Sequence, residues 1–136
     1  MAKRLYDAAA NGLDSGDYEW TSGTWKVSLL SSAYTFSTAH DFYNDLSGVI
    51  ASAAITGNSK TAGVWDASDV TFSGVAGGST VVAAVIWKDT GNVATSPLFL
   101  FDDVTLLGIP FTTDGNDFTF AWDNGAAKIF KIPTTF

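Results

Sequence analysis

The side chains that could do chemistry are few and scattered. The sequence holds one histidine, His40, followed by Asp41. No histidine pair can therefore hold a catalytic metal, and a base-assisted nucleophile would have to use this one imidazole. A His-Asp element serving one of the many serines also needs a nucleophile elbow or another positioned partner, and the sequence shows neither, so His40 reads as a capping or surface histidine. Two carboxylate pairs, Asp102-Asp103 and Asp66 with Asp69, are of the type used for acid and base roles. Adjacent acids in a turn ordinarily just face water. Asp114-Gly115-Asn116-Asp117 and Asp123-Asn124-Gly125 bring oxygens close together, as hard cations require, but the closing glutamate of a calcium loop is missing and turn formation explains the same residues. The tract Gly74 to Gly78 lacks the Gly-Lys-Ser/Thr ending that would cradle phosphate and reads as a linker between strands. No catalytic residue, cofactor or metal is expected.

Aromatic chemistry is the other possibility. The five tryptophans, Trp20, Trp25, Trp65, Trp87 and Trp122, could stack sugars as in a carbohydrate-binding module. Most stand at apolar positions of expected strands, so core packing is the better reading. The charge balance narrows the partners further. A formal net charge of −7 gives no electrostatic footprint for nucleic acid and does not suit an anionic membrane surface. The absence of cysteine removes disulfides and thiolate metal sites, leaving packing, pairing or oligomerisation to stabilise the fold. Asp7, Asn11, Asp14 and Ser15 stand where a signal peptide would need an apolar block, so the N-terminus reads as mature sequence.

The elements that must position these residues are mostly strands. With 136 residues, 46% of them hydrophobic, 13 glycines and a single glutamate at Glu19, the chain is the size of one two-layer domain and favours strands and turns over helices. The apolar run Val81 to Trp87 is rich in β-branched residues and lacks alternation, which predicts a central strand buried on both faces. Asp89-Thr90-Gly91-Asn92 then turns the chain into Pro97-Leu98-Phe99-Leu100-Phe101, making a hairpin. Leu5, Ala9 and Leu13 predict a short amphipathic helix within residues 3–13. Thr24 to Leu30 alternates as a half-buried strand. Val49 to Thr56 and Thr61 to Ala67 read as a strand pair across Gly57-Asn58-Ser59-Lys60, with Gly63 marking a bulge or weak point. Asp41 to Leu46 predicts a helical turn capped near Thr38. Further strands are expected at 69–73, 117–123 and 127–132, and an edge segment at 106–111. The expected fold class is all-β, an antiparallel β-sandwich or jelly-roll-like domain of about eight or nine short strands with a short N-terminal helix. Residues 1–23 form an N-terminal helical arm and turn, and residues 24–136 a single β-sandwich domain.

Over nearly its whole length the chain resembles a family of small bacteriophage virion proteins, encoded among head and tail genes. The likeness rests on Trp25-Lys26-Val27-Ser28-Leu29-Leu30, Tyr34-Thr35-Phe36 with His40-Asp41-Phe42, and Val64-Trp65-Asp66-Ala67-Ser68-Asp69-Val70-Thr71-Phe72. It continues through Ala84 to Gly91, Ala94 to Leu98, and Asp117 to Asp123 with Gly125 and Lys128-Ile129-Phe130. These are scaffold motifs, strands with their turns, so no catalytic residue carries over.

The resemblance implies a non-enzymatic structural part of a virion. Most simply this is a capsid decoration or cement protein, made in the bacterial host cytoplasm and bound to the major capsid protein outside the head shell. A homo-oligomer is expected, a trimer being favoured, with no direct nucleic-acid or membrane partner. The alternatives are a tail or baseplate component, including a host-recognition module, and a glycan-binding module. Candidate subunit or capsid contacts are Leu5 and Tyr6 on the N-terminal segment, Leu98, Phe99, Leu100 and Phe101, and Phe136, because apolar residues at edges and termini are where association area comes from.

Overall fold

The computed structural model of the chain describes residues 4–13, 18–102, 111–120, 122 and 129–131. In chain order the elements are β1 (Arg4–Leu5), α1 (Asp7–Gly12), β2 (Thr24–Leu30), β3 (Val49–Ile55), β4 (Ser59–Thr61), β5 (Val64–Asp66) and β6 (Val70–Phe72), followed by β7 (Thr80–Val81), β8 (Ala83–Asp89), β9 (Leu98–Asp102), β10 (Phe111–Thr112), β11 (Phe118–Phe120) and β12 (Phe130–Lys131). The fold is all-β and antiparallel, as expected, with one short helix. One five-stranded sheet runs β1-β9-β8-β2-β3, and three smaller ladders, β10-β7, β11-β6 and β12-β5-β4, supply further strands.

β8 is the middle strand of the large sheet, and both of its faces are covered. Ala84 and Ile86 belong to the larger core, with Trp25, Val27 and Leu29 of β2 and with Trp65, Val70, Phe72, Val81, Trp122 and Ile129 from the smaller ladders and their flanks. Ala83, Val85 and Trp87 belong to a second core with Tyr6, Leu30, Tyr34, Leu98 and Phe101, against which Phe36, Tyr43 and Leu46 pack. The apolar run Ala83 to Trp87, without alternation, is the sequence consequence of having protein on both sides. The same double cover corrects the half-buried reading of β2, because Ser28 and Leu30 on its second face are fully buried too.

Several local expectations change. The predicted helix of residues 3–13 begins only at Asp7, since Arg4 and Leu5 pair with Phe101 and Leu100 of β9. Tyr6, Ala9, Tyr18 and Trp20 are core residues, so the described part of the 1–23 segment is packed into the domain rather than set apart as an arm. β3 pairs with β2 and not with the segment after it; the true hairpin is β4-β5, closed by Ala62 and Gly63. The 31–46 segment lies over one face of the sheet, where Tyr34, Phe36, Tyr43 and Leu46 join the second core. Its 3-10 turn, Tyr43–Asp45, is not capped from Thr38: Asp45 Oδ2 accepts the N–H groups of Asp41 at 2.9 Å and Phe42 at 3.3 Å. Asp102, expected at a turn or exposed edge, is buried within β9. Asp103, most of the 106–111 segment, and residues 123–128 and 132 lie outside the described residues.

The β4-β5 turn carries a prediction. Ala62 has φ 50° and Gly63 φ 79°, the two positive values of a type I′ hairpin, where Asn-Gly is the favoured pair. Alanine at positive φ brings its Cβ against the following carbonyl oxygen. Ala62→Asn is therefore expected to stabilise the fold by about 0.5–1 kcal/mol. The urea midpoint should rise with an unchanged slope, and a fall would refute the turn assignment.

Candidate functional site

A cleft of about 570 Å³ opens where α1 (Ala8, Asn11, Gly12) meets Tyr18, Asp41, Phe42 and the β8-β9 return (Lys88, Thr90, Thr95, Pro97). The return is held by its own side chains. Asp89 Oδ1 accepts the Gly91 N–H at 2.8 Å, Asn92 Oδ1 accepts the Ala94 N–H at 2.9 Å, and the buried Ser96 hydroxyl donates to the Asn92 carbonyl at 2.9 Å and accepts the Thr90 N–H at 3.0 Å. These are the local Asx and Ser/Thr bonds that Asp, Asn, Ser and Thr form in turns. At the tip stands Val93, 53% exposed, whose carbonyl accepts the Asn44 N–H at 3.1 Å. The result is a rigid loop that presents one apolar side chain to solvent.

The cleft brings one ammonium, one carboxylate, an amide and hydroxyls together without a nucleophile and base in contact. The Thr90 and Thr95 hydroxyls bond each other at 2.7 Å. His40, the only imidazole, is engaged elsewhere: its Nδ1 lies 2.7 Å from Tyr34 Oη, which in turn lies 3.0 Å from the Oη of fully buried Tyr6. Burial, with the Tyr34 hydrogen bond behind it, pushes the Tyr6 phenol well above its ordinary range, and burial raises Tyr34 as well. Both therefore stay protonated and act as hydrogen-bonding groups rather than as bases.

The other candidate groups resolve into structure. Asp114 Oδ1 accepts the Asn116 N–H at 3.0 Å, which with the Asn116 side chain holds its carboxyl below the usual range; this is the turn that was expected. Asp69 Oδ1 accepts the Trp122 N–H at 3.3 Å, and the Asp66 carbonyl accepts Trp20 Nε1 at 2.9 Å. Glu19 is lowered to about 2 by its ion pair with Lys60 at 2.7 Å and by Thr21, and so ties the turn before β2 to β4. Among the described residues no three His, Cys, Asp or Glu side chains gather where they could hold a metal ion.

All five tryptophans are buried. Trp20, Trp25, Trp87 and Trp122 each donate their indole N–H inside the protein, to the carbonyl of Asp66, the carbonyl of Glu19, Ser28 Oγ and the carbonyl of Ser68. They form core and not a sugar platform, in agreement with the reading preferred from sequence.

The contact candidates need correction. Tyr6, Leu98, Phe99, Leu100 and Phe101 are buried within the single chain, and Leu5 is half-buried against the larger core. β9 is flanked by β1 and β8, and a bulge lets its run LFLF fill both cores. Ile86 pairs with Leu100 and Trp87 with Leu98, leaving Phe99 as the extra residue, so Phe99 and Leu100 both join the larger core while Leu98 and Phe101 join the second. An apolar run on both faces therefore marks a doubly covered strand here, not a subunit contact. Phe136 lies outside the described residues.

Sequence reasoning missed Val93 and Val49, the exposed large hydrophobic residues among those described, at 53% and 36%. The available signal was Val93 standing alone among Thr, Gly, Asn and Ala in a turn. Among the described residues no helix is long and apolar enough to cross a membrane. No protein-family model, no curated protein and no solved structure matches this chain.

Proposed function

We propose that the protein is a non-enzymatic structural part of a bacteriophage virion, a capsid decoration or cement protein that binds the major capsid protein on the outside of the head and associates with its own copies, a trimer being favoured. The observation that carries this reading is the way the chain spends its chemistry. Every tryptophan, Tyr6, Tyr34 and the lone histidine serve packing or anchoring, which leaves shape and surface as the means of action. The resemblance in strand and turn motifs supplies the virion setting. A charge of −7 suits the outer face of a shell whose inner wall meets nucleic-acid phosphate.

With Leu98 to Phe101 committed to the cores, association falls to surface that remains open, and the rigid 89–97 return with Val93 at its tip is the strongest part of it. Val93→Asp is expected to lower retention on purified heads at least about tenfold while changing folding stability by less than about 0.5 kcal/mol. Mass spectrometry of tail-less capsids and of isolated tails tests the location. Recovery on tails alone would move the protein to the tail or baseplate, and turnover of a substrate or absence from particles would end the structural reading.

A further inference from the structure

We propose that the cleft formed by α1, residues 41–42 and the β8-β9 return binds a neutral saccharide, whose hydroxyl groups donate to the polar lining while an apolar face of the sugar rests on Phe42. The size is suitable. At about 570 Å³ the cleft lies within the range that takes small molecules, about 300–1,000 Å³. The polar lining is richer in acceptors than in donors. Ser96 donates to the Asn92 carbonyl at 2.9 Å, and the hydroxyls of Thr90 and Thr95, 2.7 Å apart, lie 3.2 and 3.3 Å from the same carbonyl. The two threonine hydrogens thus find acceptors inside the return, one on the neighbouring threonine and one on the carbonyl, and lone pairs on both oxygens stay open. Asp41 adds a carboxylate, which only accepts. The exposed Asn11 amide, without a partner among the described residues, both donates and accepts.

Charge selects against the other ligand classes. Lys88 lines the cleft, with its ammonium 5.8 Å from the Trp25 ring centre, and disfavours a cation. The carboxylate of Asp41 and a chain charge of −7 disfavour an anion. What fits is an uncharged molecule with many O–H groups to give. The half-buried Phe42 ring supplies the apolar surface against which the C–H side of a sugar ring packs. No tryptophan is needed. No nucleophile and base meet in the cleft, so the sugar is held and not cleaved.

The walls are fixed to one another before any ligand arrives. Phe42 and Pro97 form an antiparallel bridge, the Leu98 N–H bonds the Asp41 carbonyl at 2.9 Å, the Tyr43 N–H bonds the Ser96 carbonyl at 2.8 Å, and the Asn44 N–H bonds the Val93 carbonyl at 3.1 Å. Asp41 and Phe42 are thereby set in register with the return that carries Thr90 and Thr95. The start of α1 is tied down by the Tyr6 N–H on the Phe99 carbonyl at 3.2 Å and the Asp7 N–H on the Thr38 carbonyl at 2.9 Å. A preformed site of this kind loses little affinity to ordering its own side chains.

Amide NMR of the full chain, titrated with glucose, galactose, N-acetylglucosamine and cellobiose, tests the site, with N-acetylneuraminic acid and spermidine as charged controls. At least one neutral sugar should give saturable shifts centred on residues 11–12, 41–42 and 90–95, with a dissociation constant of about 1–10 mM. Asn11→Ala and Asp41→Ala should each weaken that binding at least about fivefold, while Ala62→Asn, in the distant β4-β5 turn, leaves it unchanged. The proposal is overturned if no neutral sugar saturates, if the shifts centre outside the cleft, if only a charged control binds, or if neither variant weakens binding. Should Asp41→Ala not fold, Asn11→Ala decides alone, because Asn11 is exposed. The titration does not depend on where the protein sits on a particle, so this inference and the virion reading fail separately.

Discussion

Phe99→Ala is expected to cost about 3–5 kcal/mol of folding stability, the range for deleting a fully buried phenylalanine side chain. Phe99 is the bulged residue of β9, so its ring enters the larger core where a regular strand would have alternated away. It stacks on Trp65 at 4.9 Å and 7°, and meets Trp25 at 5.5 Å and Phe130 at 5.4 Å edge-on, with Tyr18 at 6.2 Å. These partners come from β5, β2 and β12 and from the turn before β2. Removing the ring leaves a cavity that rigid indoles cannot collapse to fill. Phe99→Leu retains most of the volume and should cost about 1–2 kcal/mol. Urea unfolding followed by tryptophan fluorescence reads both, and a loss below about 1.5 kcal/mol for the alanine would mean that the cluster closes over the gap.

Trp87→Ala should be nearly as damaging, at about 3–5 kcal/mol, through the opposite face of the sheet. Trp87 is buried on the central strand, lies 4.2 Å from the Tyr43 ring and donates its indole N–H to Ser28 Oγ at 2.8 Å. Ser28 bonds Ser52 at 2.6 Å, so the indole ends a polar path across β8, β2 and β3. Loss of the ring strips the sheet from the 3-10 turn, and near-ultraviolet circular dichroism should lose signal along with stability. Trp87→Phe separates packing from hydrogen bonding: it keeps a ring over Tyr43 and should cost about 1–2 kcal/mol from the missing donor and lost volume. If the phenylalanine and alanine variants lose the same amount, packing against the 43–45 turn contributes nothing.

Ala83 to Trp87 announced its place because burial on both faces imposes a composition that no other role in a small β domain requires, whereas Val81, expected in the same strand, pairs with Phe111 as part of β7. The buried tryptophans, the acidic turn at Asp114, the β6 strand and the β8-β9 return were legible for related reasons: each depends on residue type and near neighbours. β3 was legible as a strand but not in its pairing. Its small residues, Val49 to Ile55, present no face strongly apolar enough to select a partner, and β2 took it. The Ala62-Gly63 turn was hidden because alanine does not advertise positive φ. Val93 stood out only as a lone apolar residue in a turn, because the extent of its exposure is a property of the assembled surface.

The N-terminal segment and the histidine show the same division. Tyr6 read as a contact candidate and His40 as a capping or surface histidine, and nothing in the spacing of Tyr6, Tyr34 and His40 indicated that three hydrogen-bonding groups would line up. Likewise the run Leu98 to Phe101 disclosed that it avoids water on both faces, but not what covers it. The sequence by itself determined the all-β class, the central strand and the acidic, cysteine-free character, since these follow from local preference and from how much apolar surface a strand must hide. Only the tertiary structure decided that β9 is covered by its own chain, that a bulge splits its side chains between two cores, and that His40 meets Tyr34. Those depend on partners brought together from distant positions, and the covering and hydrogen-bonding demands that select such partners act through space rather than along the chain.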